Sequence, residues 1–342
     1  EKLWDYMADY EEKTGGSILA IAHNGNVSNG QMFATERLNG RPIKREYAEM
    51  RARFEPLYEV TQIKGDGEAH PFLSPNDEFA DKYNEPGRFT ALIGFEWTSI
   101  STRENPGNLH RVVIFKDGRD KASQVVPFST FDSNDPEKLW DYMADYEEKT
   151  GGSILAIAHN GNVSNGQMFA TERLNGRPIK REYAEMRARF EPLYEVTQIK
   201  GDGEAHPFLS PNDEFADYGT WDKSDIVGLN PKEDWMLKHE YARSALQIGM
   251  QLEEKLGVNP YKFGMIGSTD AHTSLATTRE ENFYGKAAHL EPEADRWEHT
   301  IIASLAGNPE YSSYSYESIG AGLAAVWARE NTREGIFNAM IR

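Results

Sequence analysis

A chain whose residues 1–81 recur without one substitution as residues 137–217 is not an ordinary repeat protein. Solenoids and propellers use shorter periods, at least three units and drifted sequences. Two long identical blocks instead mark a very recent duplication or an artefact of gene assembly, and we expect the artefact. Local chemistry indicates which copy is native. Asp135 and Pro136 stand before Glu137 as an N-cap and a first helical residue, whereas nothing comparable precedes Glu1. The second copy is therefore expected in the native place of the fold. The first, residues 1–82, is expected to form an appended α/β segment.

Outside the first copy about 260 residues remain, enough for one α/β barrel with a full core. The net charge of −18 disfavours nucleic acid and anionic membranes as partners. It is compatible with a small anionic substrate held by a metal centre, because a bound dication dominates the field near it. The absence of Cys removes disulfides, thiolate catalysis and Cys-ligated zinc together, so any metal must sit on His, Asp, Glu and Asn. No apolar run approaches the roughly 18 residues of a membrane span. Zero Cys and an acidic surface suit cytoplasm or periplasm equally, and oligomeric state is left open. A start without Met and a tail without a termination signal suggest truncation at both ends.

From Arg88 onward, apolar runs alternate with 3.6-residue periodicity, the pattern of alternating strands and helices. Strands are expected at 89–95, 111–115, 153–158, 193–199 and 263–268. Helices are expected from Pro136 to Lys149, from about Pro178 to Phe190, from about Lys232 to Leu256, and through the tail from Ser318, with a capping box at Asn331 to Glu334. Four of the strands run into polar clusters: Glu96, His159, Lys200 to Glu204, and Asp270 with His272. In a (β/α) barrel such ends form one face, where active sites are built, and His110 lies in the loop that follows Glu96. Imidazoles and carboxylates together suit zinc, manganese or iron. A carboxylate can also bridge two ions and help present a polarised water.

These segments carry a resemblance. Gly94-Phe-Glu96-Trp-Thr, Asn108-Leu-His110-Arg-Val-Val, Ala158-His159-Asn-Gly-Asn162, Glu195-Val-Thr-Gln-Ile-Lys-Gly-Asp-Gly-Glu204 and Gly267-Ser-Thr-Asp270-Ala-His272 are similar to the bacterial domain of unknown function 3604 family, related to the PHP (polymerase and histidinol phosphatase) metallohydrolases. The resemblance covers about 83–342. It implies a distorted (β/α)7 TIM-like barrel with a centre of one to three metal ions that hydrolyses phosphoesters. Position by position, Glu96 resembles the bridging carboxylate, His110 and His159 resemble ligands of one ion, and Asp270 and His272 resemble the closing Asp-x-His ligands. Glu96, His159 and Asp270 are the catalytic candidates.

The chain also departs from that pattern. PHP proteins open with a His-x-His strand, and none occurs here; the duplicate block stands where it belongs. The expected fold is thus an incomplete barrel over 83–342, holding fewer ions than its relatives. Three donors such as Glu96, His110 and His159 still suffice for one zinc. Lys200 and Arg111 are candidate contacts for a substrate anion, against a solvated turn and a surface ion pair. Asn160 and Asn162 are candidates to support the ligands. Tyr311 to Tyr316 reads as packing or as an aromatic binding strip. A metal-dependent phosphoester hydrolase, impaired in this chain, is the expected function. The alternatives are a non-catalytic metal- or anion-binding remnant and a sugar- or polymer-binding module.

Overall fold

A computed structural model describes residues 2–22, 32–37, 40–55, 57–58, 61–62, 65–66, 83–101, 106–270, 272, 293–319 and 322–342. His23, the twin of His159, lies outside the described residues. The chain divides into two compact units, Glu1–Asp77 and Glu78–Arg342.

The first unit is a minimal α/β element. Its helices Lys2–Thr14 and Arg45–Phe54 bury Trp4, Met7 and Phe54. A two-residue strand, Ile21–Ala22, pairs in parallel with Leu57–Tyr58.

In the second unit six strands form one mixed sheet. Strand β1 (Ile93–Trp97) pairs antiparallel with β2 (Arg111–Phe115), and β2 pairs antiparallel with β3 (Ile154–Ala158). Beyond β3 come β4 (Leu193–Gln198) and β6 (Gly264–Gly267), both parallel, while the short β5 (Gly201–Asp202) folds back on β4. The order β6-β4-β3-β2-β1 leaves β1 and β6 as outer strands. No closed barrel forms among the described residues. The architecture is mixed α/β, and β1 and β2, expected as strands of a barrel, pair antiparallel with no helix between them among the described residues. The strands of residues 137–217 lie inside this sheet, between β2 and β6.

Side-chain alternation along the strands divides the core. Val113, Phe115, Ile154 and Ala156 face Leu139, Trp140, Met143 and Tyr146 of helix α1 (Pro136–Thr150) and Tyr183 and Phe190 of α2 (Arg181–Phe190). Their neighbours Leu155, Ile157 and Leu193 face the opposite way, against Phe337 and Met340 of α4 (Arg333–Met340). Helix α3 (Ala242–Leu256) packs Ala242, Ala245 and Leu252 beside Tyr194. Asp135 caps α1 by accepting from the Glu137 N–H at 3.0 Å, and Gly151 closes it in the left-handed conformation.

Two helices differ from expectation. The stretch from Lys232 is broken into Asp234–Leu237 and α3, because Glu240 is buried in the interruption, where it takes the Lys232 ammonium at 2.6 Å. The tail is helical only in α4; its cap is Thr332, which accepts from Gly335 N–H, one residue later than the expected box.

Candidate metal centre

The sheet's connections bring one set of residues to one edge. Strands β1, β3, β4 and β6 end there and β2 begins there. Glu96 lies opposite Val112, and Val112 opposite Ile157. Two residues further along the same face come His110 and His159, held together by a backbone bond from His159 N–H to the His110 carbonyl. Past His159 the chain turns sharply. Asn160 is left-handed (φ 54°), and a Cβ on Gly161 would meet the Glu240 carbonyl and the Tyr194 hydroxyl at 2.5 Å, so a side chain there would push the turn apart.

Glu96 Oε1 lies 3.0 Å from His110 Nδ1 and 3.1 Å from His159 Nε2. One donor atom from each of the three residues falls within 4.8 Å of the others. Both histidines are buried, whereas the Glu96 side chain is one-third exposed and opens the group to solvent. The contact with His110 is close but badly directed, and neither ring nitrogen of His110 makes a hydrogen bond among the described residues. Buried polar atoms left in this state cost free energy. Converging nitrogen and oxygen lone pairs fit a divalent cation better than they fit one another.

Electrostatics divides the three residues. Burial alone would raise the Glu96 carboxyl, but the two imidazoles beside it, His110 in close contact and His159 hydrogen-bonded, outweigh it and hold Glu96 well below the usual carboxylate range. Burial lowers His110 to about 4 against the pull of Glu96. At His159 burial acts downward too, yet Glu195 and Glu96, on either side of the ring, push it up to about 9. Burial thus favours the neutral His110 ring, and the two carboxylates favour the protonated His159 ring.

The remaining sequence candidates are placed differently. Asp270, left-handed at φ 47°, gives its Oδ2 to the Lys200 ammonium. His272 is exposed, with Nδ1 2.9 Å from the Asp270 carbonyl. Neither belongs to the three-donor group. Arg111 does not present an anion contact: it is fully buried, with Nε 2.9 Å from Glu191 Oε1 and Nη1 2.5 Å from the Leu109 carbonyl. Glu191 also takes Trp140 Nε1 and Arg187, so the surface pairing weighed for Arg111 is a buried network that clamps the segment entering β2. Asn162 donates to the Lys200 carbonyl at 3.0 Å and Asn160 accepts from Gln198 at 2.7 Å, so both brace the loops around the histidines. Tyr314 and Tyr316 stack with ring centroids 5.7 Å apart, Lys223 lies over the Tyr314 ring, and Tyr316 is exposed.

One residue of the site had no assigned role in the sequence. Glu195 is buried, its Oε1 is 3.5 Å from His159 Nδ1, and its Oε2 accepts from the Ser268 hydroxyl. An acid in the middle of an apolar strand was the available signal.

A family model described as a protein of unknown function, DUF3604, matches residues 1–82 and again residues 79–342. No curated protein and no solved structure matches the chain.

Proposed function

From the premise that the chain belongs to the DUF3604 family, and from the donor group at the sheet edge, we propose that residues 78–342 form a divalent-metal site serving phosphoester hydrolysis. The observation that carries this reading is the convergence of Glu96, His110 and His159 within 4.8 Å. Glu96 and the two imidazoles would hold the ion, with zinc, manganese or iron suited to the donor set. Such an ion supplies Lewis-acid polarisation of a phosphoryl oxygen and acidifies a water. The relation of the family to PHP hydrolases, and a barrel completed by further strands, belong to the same proposal and rest on the sequence resemblance. The exposed Glu96 gives a small anionic substrate its approach. Lys200, 7% exposed and within electrostatic range of both histidines, would be a cation at hand to meet it.

A second reading, a binding site without turnover, is favoured by one observation. The Asp270 carboxylate is taken by Lys200, which leaves, among the described residues, a donor group for one ion where a clamp on both attacking and leaving oxygens needs two. The test is metal content and turnover of the whole chain. After metal stripping and reloading, elemental analysis should give about one equivalent of zinc or manganese, lost in His159→Ala and retained in His23→Ala. Chelator-sensitive hydrolysis of bis(p-nitrophenyl) phosphate supports the hydrolase. Stoichiometric metal without turnover supports the binding site, and no metal at all sinks both.

A further inference from the structure

We infer that Glu195 positions His159 for the cation, by accepting a hydrogen bond from Nδ1–H so that the Nε2 lone pair faces Glu96 and His110. This rests on the metal reading above and adds a residue outside the donor group.

Two groups of opposite polarity meet at His159 Nδ1. Glu195 Oε1 lies 3.5 Å away and can only accept while ionised; Gln198 Nε2 lies 3.3 Å away and can only donate. The partner chosen sets the tautomer of a neutral ring. A bond from Gln198 places the proton on Nε2, aimed at Glu96 3.1 Å away, and leaves no lone pair for a cation. A bond to Glu195 places it on Nδ1 and frees Nε2. Metal-bound histidines commonly donate their second nitrogen to a carboxylate, which fixes the ring and raises its basicity.

Three features favour Glu195. The β3/β4 register pairs Ala158 with Tyr194, so His159 and Glu195 are the next pair on the same face of the sheet. The Ser268 hydroxyl, at the end of β6, donates to Oε2 and leaves Oε1 turned to the ring. That Oε1 is buried and makes no hydrogen bond among the described residues, whereas the Gln198 amide already donates to Asn160 at 2.7 Å. Glu195 is the group that lacks a donor, and His159 Nδ1–H is the donor at hand.

The experiment compares the whole chain with Glu195→Leu, which removes the acceptor, and Glu195→Gln, whose carbonyl can still accept. Zinc affinity is measured by competition with a chromophoric chelator, and the His159 ring by long-range ¹H–¹⁵N correlation in the zinc-loaded protein. We expect Glu195→Leu to weaken zinc binding about 10- to 100-fold, with Glu195→Gln falling between. In the zinc-loaded wild type the His159 Nδ1 resonance should be that of a protonated, hydrogen-bonded nitrogen, and in Glu195→Leu it should move. A thermal melt of the metal-free variants separates this from a folding defect: a melting temperature like that of wild type combined with weakened zinc binding supports positioning. Wild-type affinity and unchanged His159 resonances in a folded Glu195→Leu overturn the inference while leaving the metal site standing. If Glu195→Leu does not fold, Glu195→Ala takes its place as the variant without an acceptor, and wild-type affinity and resonances in it overturn the inference equally. Failure of the wild type to bind zinc overturns the metal reading, and this inference with it.

Discussion

Where both copies of the 81-residue sequence are described, they take the same local form and differ in depth of burial. Helix Arg45–Phe54 matches Arg181–Phe190 residue for residue. The register Ile21 to Leu57 repeats that of Ile157 to Leu193, and Trp4 donates to Glu55 as Trp140 does to Glu191. The core does not repeat. Leu139 and Tyr146 are 0% exposed, while their twins Leu3 and Tyr10 are 55% and 38% exposed. The strand Ile154–Ala158 has five residues, its counterpart two. The second copy lies against β1 and β2, which belong to no repeat, and these supply Val113, Phe115, Trp97 and Arg111. Local sequence specifies helices, turns and register; a core also requires a partner from outside the block.

The largest expected contrast concerns Glu191 and Glu55. Glu191 is 3% exposed at its side chain and answers Arg111, Arg187 and Trp140, whereas Glu55 has Arg51 and Trp4, with more access to water. Glu191→Ala leaves two buried guanidinium groups without their carboxylate and should cost about 3–5 kcal/mol. Glu55→Ala should cost about 1 kcal/mol or less. Urea denaturation of the two variants measures this, and equal losses would dissolve the distinction.

Next in size, Leu139→Ala should destabilise by about 2–5 kcal/mol, while Leu3→Ala should stay within about 0.5 kcal/mol of the parent. The two midpoints in urea provide the comparison.

The acid–base prediction concerns the second copy. With His159 pushed up to about 9, above its unfolded value of about 6.5, its stabilising contribution in the metal-free protein is full below pH 6.5 and is lost as pH rises through 9. His110, lowered to about 4, acts oppositely: its contribution is present above 6.5 and disappears as pH falls through 4. A cation must displace the His159 proton, so zinc binding near pH 7.5 should release about one proton. Calorimetry in buffers of different ionisation enthalpy counts it. A buffer-independent heat would contradict this.

The smallest effect is at the α1 cap. Asp135→Ala removes the acceptor for Glu137 N–H and should cost about 1 kcal/mol, seen as a lowered melting temperature of the second unit alone.

Much of this was legible in the sequence. The run Ser153 to Ala158 ending in His159 announced a buried strand that delivers a polar group, and His110 lies in the loop where it was expected, whereas Glu96, expected just beyond a strand at 89–95, is inside the strand Ile93–Trp97. What stayed hidden depends on partners distant in sequence. Arg111 beside a histidine looks like an anion contact, and only the arrival of Glu191, eighty residues on, shows it occupied. Periodicity from Lys232 to Leu256 reads as one helix, since nothing local reveals that Glu240 leaves it to meet Lys232. Strand β1 reads as part of a barrel because direction is set by pairing, and its pairing with β2 is antiparallel.

The contact between Lys200 and Asp270 gives the site a built-in competitor. An ammonium tethered beside a carboxylate acts at an effective concentration of about millimolar or more, independent of the surrounding solution. Were Asp270 to bind a second cation, that cation would compete with the ammonium for Oδ2, and its occupancy should follow a displacement isotherm. The evicted arm, four methylenes long and newly without a counter-charge, then becomes free to meet an incoming anion. Metal loading and anion capture would in that way be two halves of one exchange.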